Sequence, residues 1–172
     1  MKINLLGYAL IVMILVVAIK IYLESDHMNL RCILSGVDGK RYCVRERNKL
    51  VMAADRLATI NDRMGKLVHH VKEKYPDRAN IKRLVKGYNP KKIYETLPTS
   101  EYTAYSQNKG EKMAFCLDTE KNNGKLIDIN TLMFVALHEL SHVASKSIGH
   151  TDEFWKNFNF LIEEAASINI YQ

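Results

Sequence analysis

Residues 131–146, TLMFVALHELSHVASK, read as an apolar helix with a polar patch cut into it. Met133, Phe134, Val135, Ala136, Leu137 and Leu140 leave no continuous polar face, so the helix belongs in a core. His138, Glu139 and His142 sit in its middle. Imidazole and carboxylate groups are costly there unless something pairs them. The fold must therefore bury this helix and also supply a partner for its polar patch.

A metal ion meets that need. His138 and His142 are four residues apart, so their rings share one helix face and can bind one Zn²⁺ at about 2.0–2.1 Å. Glu139 stands where the HExxH motif places its general base. A third protein ligand is required, with a fourth position left open. His150 is the first candidate, because Gly149 before it can take the positive φ that turns the chain back. Glu163 or Glu164 on the following helix would make a glutamate-type site instead, and Asp152 is a weaker alternative. The plain alternative to any metal is a hydrogen-bonded histidine pair in a core.

Residues 4–23, NLLGYALIVMILVVAIKIYL, are nearly all apolar, and about 20 helical residues cross a bilayer core. The run is long for a cleaved signal peptide, and no small-x-small cleavage site follows it. The expected organisation is a transmembrane anchor over residues 1–24 and one domain over 25–172. Lys2 precedes the span, whereas Arg31, Lys40 and Arg41 follow it, a bias that places the domain on the cytosolic face.

The formal charge of +6 is unevenly placed. Residues 40–92 carry 16 Lys/Arg against 5 Asp/Glu, and residues 93–172 carry 6 against 11. A basic block can hold nucleic acid or anionic lipid, or it can simply be solvated helix faces. Cys32, Cys43 and Cys116 make no disulfide framework, and the chain has no Asn-x-Ser/Thr sequon.

The remaining elements read as an α+β domain. Asp38-Gly39 signals a two-residue hairpin turn, which sets Leu34 opposite Cys43 and leaves Cys32 and Cys43 offset, so that no bridge between them is implied. Apolar periodicity predicts helices over 47–74 and about 79–88. In the first, His69 and His70 read as solvent-facing. Residues 101–117 read as two strands around Gln-Asn-Lys-Gly, with the GEKMAFCL strand a candidate substrate edge and Tyr102 and Tyr105 just before it. A polar loop follows at 119–125. Asp128 or Asn130 can cap the HExxH helix, and Thr151 can cap a final one.

HELSH followed by GHTDEFW resembles the zinc peptidases of the WLM and SprT-like group. In that group a third zinc histidine precedes a short helix, with a Phe-Trp pair four and five residues beyond it. Phe154 and Trp155 stand at that offset from His150, although the seven residues between His142 and His150 are more than usual. SGVDGKRYCVR, AADRLA, NKGEKMAFCL and FVALHELSHVAS together resemble metallopeptidases encoded by large nucleocytoplasmic DNA viruses. The resemblance implies a zincin-like fold with an HExxH helix and a small antiparallel sheet, behind a membrane anchor. It implies zinc on His138, His142 and His150, with Glu139 as base, and a protein or peptide substrate that it does not name. The rival expectation is a membrane-tethered protein that binds nucleic acid or lipid, or a virion structural protein, with a structural or relict zinc site.

Overall fold

The computed structural model describes residues 5–23, 30–97, 100–119 and 125–172. The expected boundary near residue 24 and most of the polar loop at 119–125 lie outside the described residues. Helix α1 (Leu5–Leu23) is long and apolar enough to cross a membrane. The domain then runs β1 (Leu30–Leu34), β2 (Arg41–Arg45), α2 (Leu50–Lys74), α3 (Ala79–Gly87), β3 (Ile93–Glu95), β4 (Ala104–Gln107), β5 (Lys112–Phe115), α4 (Ile129–Ala144) and α5 (Asp152–Ser167).

The sheet order is β1-β2-β3-β5-β4. The outer pairs are antiparallel, whereas β2–β3 and β3–β5 are parallel. The sheet is therefore mixed, not the small antiparallel one expected. The cause is β3, only three residues long and too short to show alternation. Its parallel pairing with β2 requires a long crossover, which α2 and α3 provide. β5 is interior, so the strand expected as a free edge is covered on both sides, and the edge is β4.

The hairpin register also differs from expectation. Ser35 N donates to Lys40 O at 2.9 Å, which closes a four-residue loop over Gly36–Gly39. Asp38 serves the loop itself, accepting from Lys40 N at 3.0 Å and Tyr42 OH at 2.8 Å. The two-residue slip keeps every side chain on its face but changes its partner. Cys32 now faces Cys43, and the two form a disulfide with Cα atoms 3.9 Å apart. Opposed residues alternate between hydrogen-bonded and closer non-hydrogen-bonded pairs. Ser35–Lys40 is hydrogen-bonded, so Cys32–Cys43, three steps along, is a close pair. The expected offset of Cys32 from Cys43, which implied no bridge, is overturned.

α2 buries Ala53, Leu57, Ile60, Met64, Leu67 and Val71 against the sheet and α4, at helical spacing. Several members of the basic block turn inward. Arg45 donates to Thr96 O and Leu97 O, and Arg47 bridges Glu95 and Asp118. α5 is fastened to the end of α2 by Glu164. Its carboxylate takes Tyr75 OH at 2.6 Å, Lys74 Nζ at 3.0 and 3.1 Å, and His70 Nε2 at 2.8 Å. His69 is exposed as expected, but His70 is half-buried in this contact. Burial pushes the Glu164 pKa up, and Tyr75, Lys74 and His70 outweigh it, leaving the carboxyl at about 2.

Glu164 therefore contributes stability above its unfolded pKa near 4.5, and that contribution fades as pH falls toward about 2. Glu164→Gln is expected to cost about 2 kcal/mol at pH 7, as for a lost hydrogen-bonded charge. The gap from the unmodified chain should close between pH 4.5 and 2 in denaturant titrations. A gap that stays constant across that window would contradict the assignment.

Candidate metal centre

α4 lies in the core because Leu132, Met133, Ala136, Leu137, Leu140 and Val143 are all buried. Asp128 Oδ1 caps it, accepting from Asn130 N and Thr131 N at 2.9 Å each. His138 and His142 project from one face, with ring centroids 4.9 Å apart. Gly149 has φ +80°, and Thr151 caps α5 through Phe154 N. Between them the chain turns back and brings His150 to the same place.

The three rings meet through one set of atoms. His138 Nε2 lies 3.2 Å from His142 Nε2 and 3.0 Å from His150 Nε2. One ring nitrogen carries either one proton or one lone pair, so ordinary hydrogen bonding cannot satisfy both contacts. Tetrahedral zinc bonds would place such donors about 3.3 Å apart. The donor set thus suits one cation, and these three residues form a possible metal-holding group among the described residues. Phe154 is fully buried and backs all three rings, at 4.8, 4.4 and 4.7 Å. Trp155 is half-exposed and flanks His150. Asp152 and Glu163 are exposed, and Glu164 is engaged on α2.

Burial lowers the His138 pKa, helped by His150. Burial, then His138, His150 and Lys109, lowers His142 to about 4. These two imidazoles are neutral at pH 7, the form that binds metal. Glu139 is 6% exposed, and burial raises its pKa to about 7. A groove of about 710 Å³ opens over this group, bounded by β4, Tyr102, Phe134, Ile148 and His150.

Long-range contacts shape the loop joining His142 to His150. Lys109 Nζ, from the β4–β5 turn, donates to His142 O at 3.2 Å, Ser145 O at 3.0 Å and Ser147 O at 2.8 Å. Glu153 accepts from Lys146 N, Ser147 N and Ser147 Oγ, and holds Arg83 at 2.9 Å. Those backbone bonds from Lys146 and Ser147, then Ser147 Oγ and Arg83, outweigh burial and take its pKa to about 2. Neither Lys109 nor Arg83 is signalled by local sequence, since each acts on residues more than 30 positions away. Glu153 also stands in the first turn of α5, where an acid is favourable on its own account.

A family model described as the WLM domain matches residues 47–172. The chain belongs to the WLM domain family. Its relatives include an uncharacterized protein, R325, of Acanthamoeba polyphaga mimivirus, 34% identical over 142 residues, 80% of this chain and 72% of that protein. An uncharacterized protein, 136R, of Invertebrate iridescent virus 6 is 32% identical over 68 residues, 40% of this chain and 38% of that one. The crystal structure of Wss1 from Saccharomyces cerevisiae aligns with a TM-score of 0.50 at 15% identity, covering 71% of this chain and 83% of that chain. That likeness shows a shared WLM fold.

The Lys109 contacts generate a prediction. Lys109→Met removes the ammonium that gathers the carbonyls of His142, Ser145 and Ser147 ahead of His150. Supporting contacts of this kind typically cost 10- to 100-fold in metal affinity, and roughly tenfold weaker zinc binding is expected here. Chelator competition measures it. Affinity equal to that of the unmodified chain would show that the loop holds its shape without Lys109.

Proposed function

We propose that this protein is a zinc metallopeptidase held to a membrane by α1. The observation that carries the reading is the convergence of three imidazole nitrogens beside a buried carboxylate on the floor of an open groove. His138, His142 and His150 would hold the ion. Zinc bound there would supply a Lewis acid for the scissile carbonyl and the attacking water. Glu139 takes the proton from that water and returns it to the departing amine. A carboxyl that burial lifts to about 7 is matched to moving protons near neutral pH. The open edge of β4 accepts an extended peptide by strand addition, which carries the peptide past Glu139. Tyr102 and Tyr105 line the same groove.

The rival, a tethered nucleic-acid- or lipid-binding protein with a structural or relict zinc site, draws on the basic block. Arg45, Arg47, Lys74 and Arg83 are engaged in ion pairs within the fold, which weakens that claim. A structural site also needs no carboxylate base at its side. For the side of the membrane, two features disagree. The Lys/Arg bias after the span favours the cytosol, and the Cys32–Cys43 disulfide favours an oxidising compartment. Protease protection of the domain in sealed membranes decides between them.

Three ligand-set variants and one base variant test the chemistry. Glu139→Gln is expected to abolish peptide hydrolysis and keep stoichiometric zinc. His150→Ala should lose most of its zinc together with all activity, while Glu163→Ala and Glu164→Ala retain the metal. Metal analysis of the purified proteins, beside hydrolysis of a casein substrate, reads both. Zinc retained by His150→Ala and lost from a glutamate variant would move the third ligand to α5.

The anchor has its own test. The full chain should remain with membranes through carbonate extraction, and residues 30–172 alone should not. Release of the full chain by high salt would mean that α1 only lies on the surface.

A further inference from the structure

Among the described residues outside α1, the large apolar side chains left exposed fall into two groups. Tyr102, Phe134, Ile148 and Trp155 ring the metal groove. Leu34, Val37, Val51 and Met52, between 50% and 65% exposed, lie elsewhere. Asp55 ties the second group together. Its Oδ1 accepts from Ser35 Oγ at 2.6 Å and Gly36 N at 2.8 Å, so the tip of the β1–β2 hairpin docks on the first turns of α2. Val51 and Met52 stand one helical turn before Asp55, beside that tip. Two exposed cations adjoin the patch: Arg41 is paired across the ladder with Leu34, and Lys49 directly precedes α2.

The covalent chain limits what can cover this patch. Residues 24–29 are all that separate Leu23 of α1 from Leu30 of β1. Seven Cα steps reach at most about 25 Å. β1 is also an edge of the sheet, and β4, which borders the groove, is the opposite edge. Four strand spacings put these edges about 19 Å apart. The leash therefore keeps Leu30, where β1 begins, within about 25 Å of the end of α1, and the groove borders the opposite edge of the sheet.

We propose that the β1 edge, through Leu34, Val37, Val51 and Met52, rests on the bilayer that α1 enters, with Arg41 and Lys49 on its anionic headgroups. The groove at the β4 edge then faces the aqueous phase and takes water-borne polypeptide. This rests on the reading of α1 as an anchor. An apolar patch flanked by cations is what an interfacial contact needs: hydrocarbon for the acyl boundary and positive charge for the headgroups.

The test uses the full chain reconstituted in phosphatidylcholine–phosphatidylserine vesicles, with or without brominated acyl chains. Trp155 is the only tryptophan, so the unmodified chain reports on the groove rim. Val37→Trp and Met52→Trp, each combined with Trp155→Phe, report on the β1 edge. Brominated lipid should quench both reporters and leave Trp155 emission unchanged. Arg41→Glu with Lys49→Glu should reduce the quenching. Carbonate extraction of the same vesicles reads α1 independently. Carbonate-resistant protein with unquenched reporters, or with Trp155 quenched instead, overturns the docking and leaves the anchor standing. Release by carbonate overturns both. A native circular-dichroism spectrum qualifies each reporter, and one qualified reporter suffices.

Discussion

His138 Nε2, held 3.2 Å from His142 Nε2 and 3.0 Å from His150 Nε2, sets the terms for the rest of this domain. Such crowding is unfavourable for neutral imidazoles and worse for charged ones, so the surrounding structure has to impose it. α4 does half of this by placing His138 and His142 on one face of a buried helix. The other half is the loop over residues 145–149, which no helix geometry controls. It is braced instead: Lys109 gathers its carbonyls, Glu153 gathers its amides, and Asn157 donates to Ser145 Oγ at 2.9 Å. Phe154 then closes the back of the cluster, so the rings cannot relax apart into the core.

The burial that permits this arrangement also sets the protonation of its members. Desolvation disfavours charge of either sign. It lowers His138 and His142 and raises Glu139, so one environment shifts bases down and an acid up. The outcome is two neutral imidazoles beside a carboxyl near 7, and burial is the cause of the Glu139 shift. A cation held by the imidazoles would add positive charge beside that carboxyl and would favour its ionised, proton-accepting form. Apolar packing of α4 and acid–base readiness are in this sense one property.

Much of the centre was legible because its signals are local. The HExxH spacing, Gly149 and Thr151 each act within a few residues, and His138, His142 and His150 are gathered as those signals imply. The α2 and α3 boundaries followed from apolar periodicity to within about three residues. The misses were contacts that sequence distance hides. β3 is too short for a pattern, and without it the parallel pairing could not be seen. Asp38-Gly39 resembled a two-residue turn, but Asp38 bonds forward to Lys40 and Tyr42, and the loop gains two residues. That slip concealed the Cys32–Cys43 disulfide. Glu164 read as a possible ligand because sequence spacing allowed it, and its attachment to Tyr75 across 89 positions could not be anticipated.

The placement of Lys109 shows how far from the centre its geometry is decided. Asn108, Lys109 and Gly110 all have positive φ, a tight reversal that aims the lysine at the ligand loop. The turn is wedged between α3 and α4. A Cβ on Gly87 would stand 2.3 Å from Lys109 O, and one on Gly110 would stand 2.6 Å from Gly87 O. Only two glycines permit that backbone approach. Val143, next to His142, borders the same contact. The β4 edge, the lysine clamp and the C-terminal turn of α4 therefore form one packed unit. The two walls of the groove cannot slide past each other without breaking it. A strand added along β4 would be held at a fixed distance from Glu139 by packing that includes neither the three clustered histidines nor Glu139 itself.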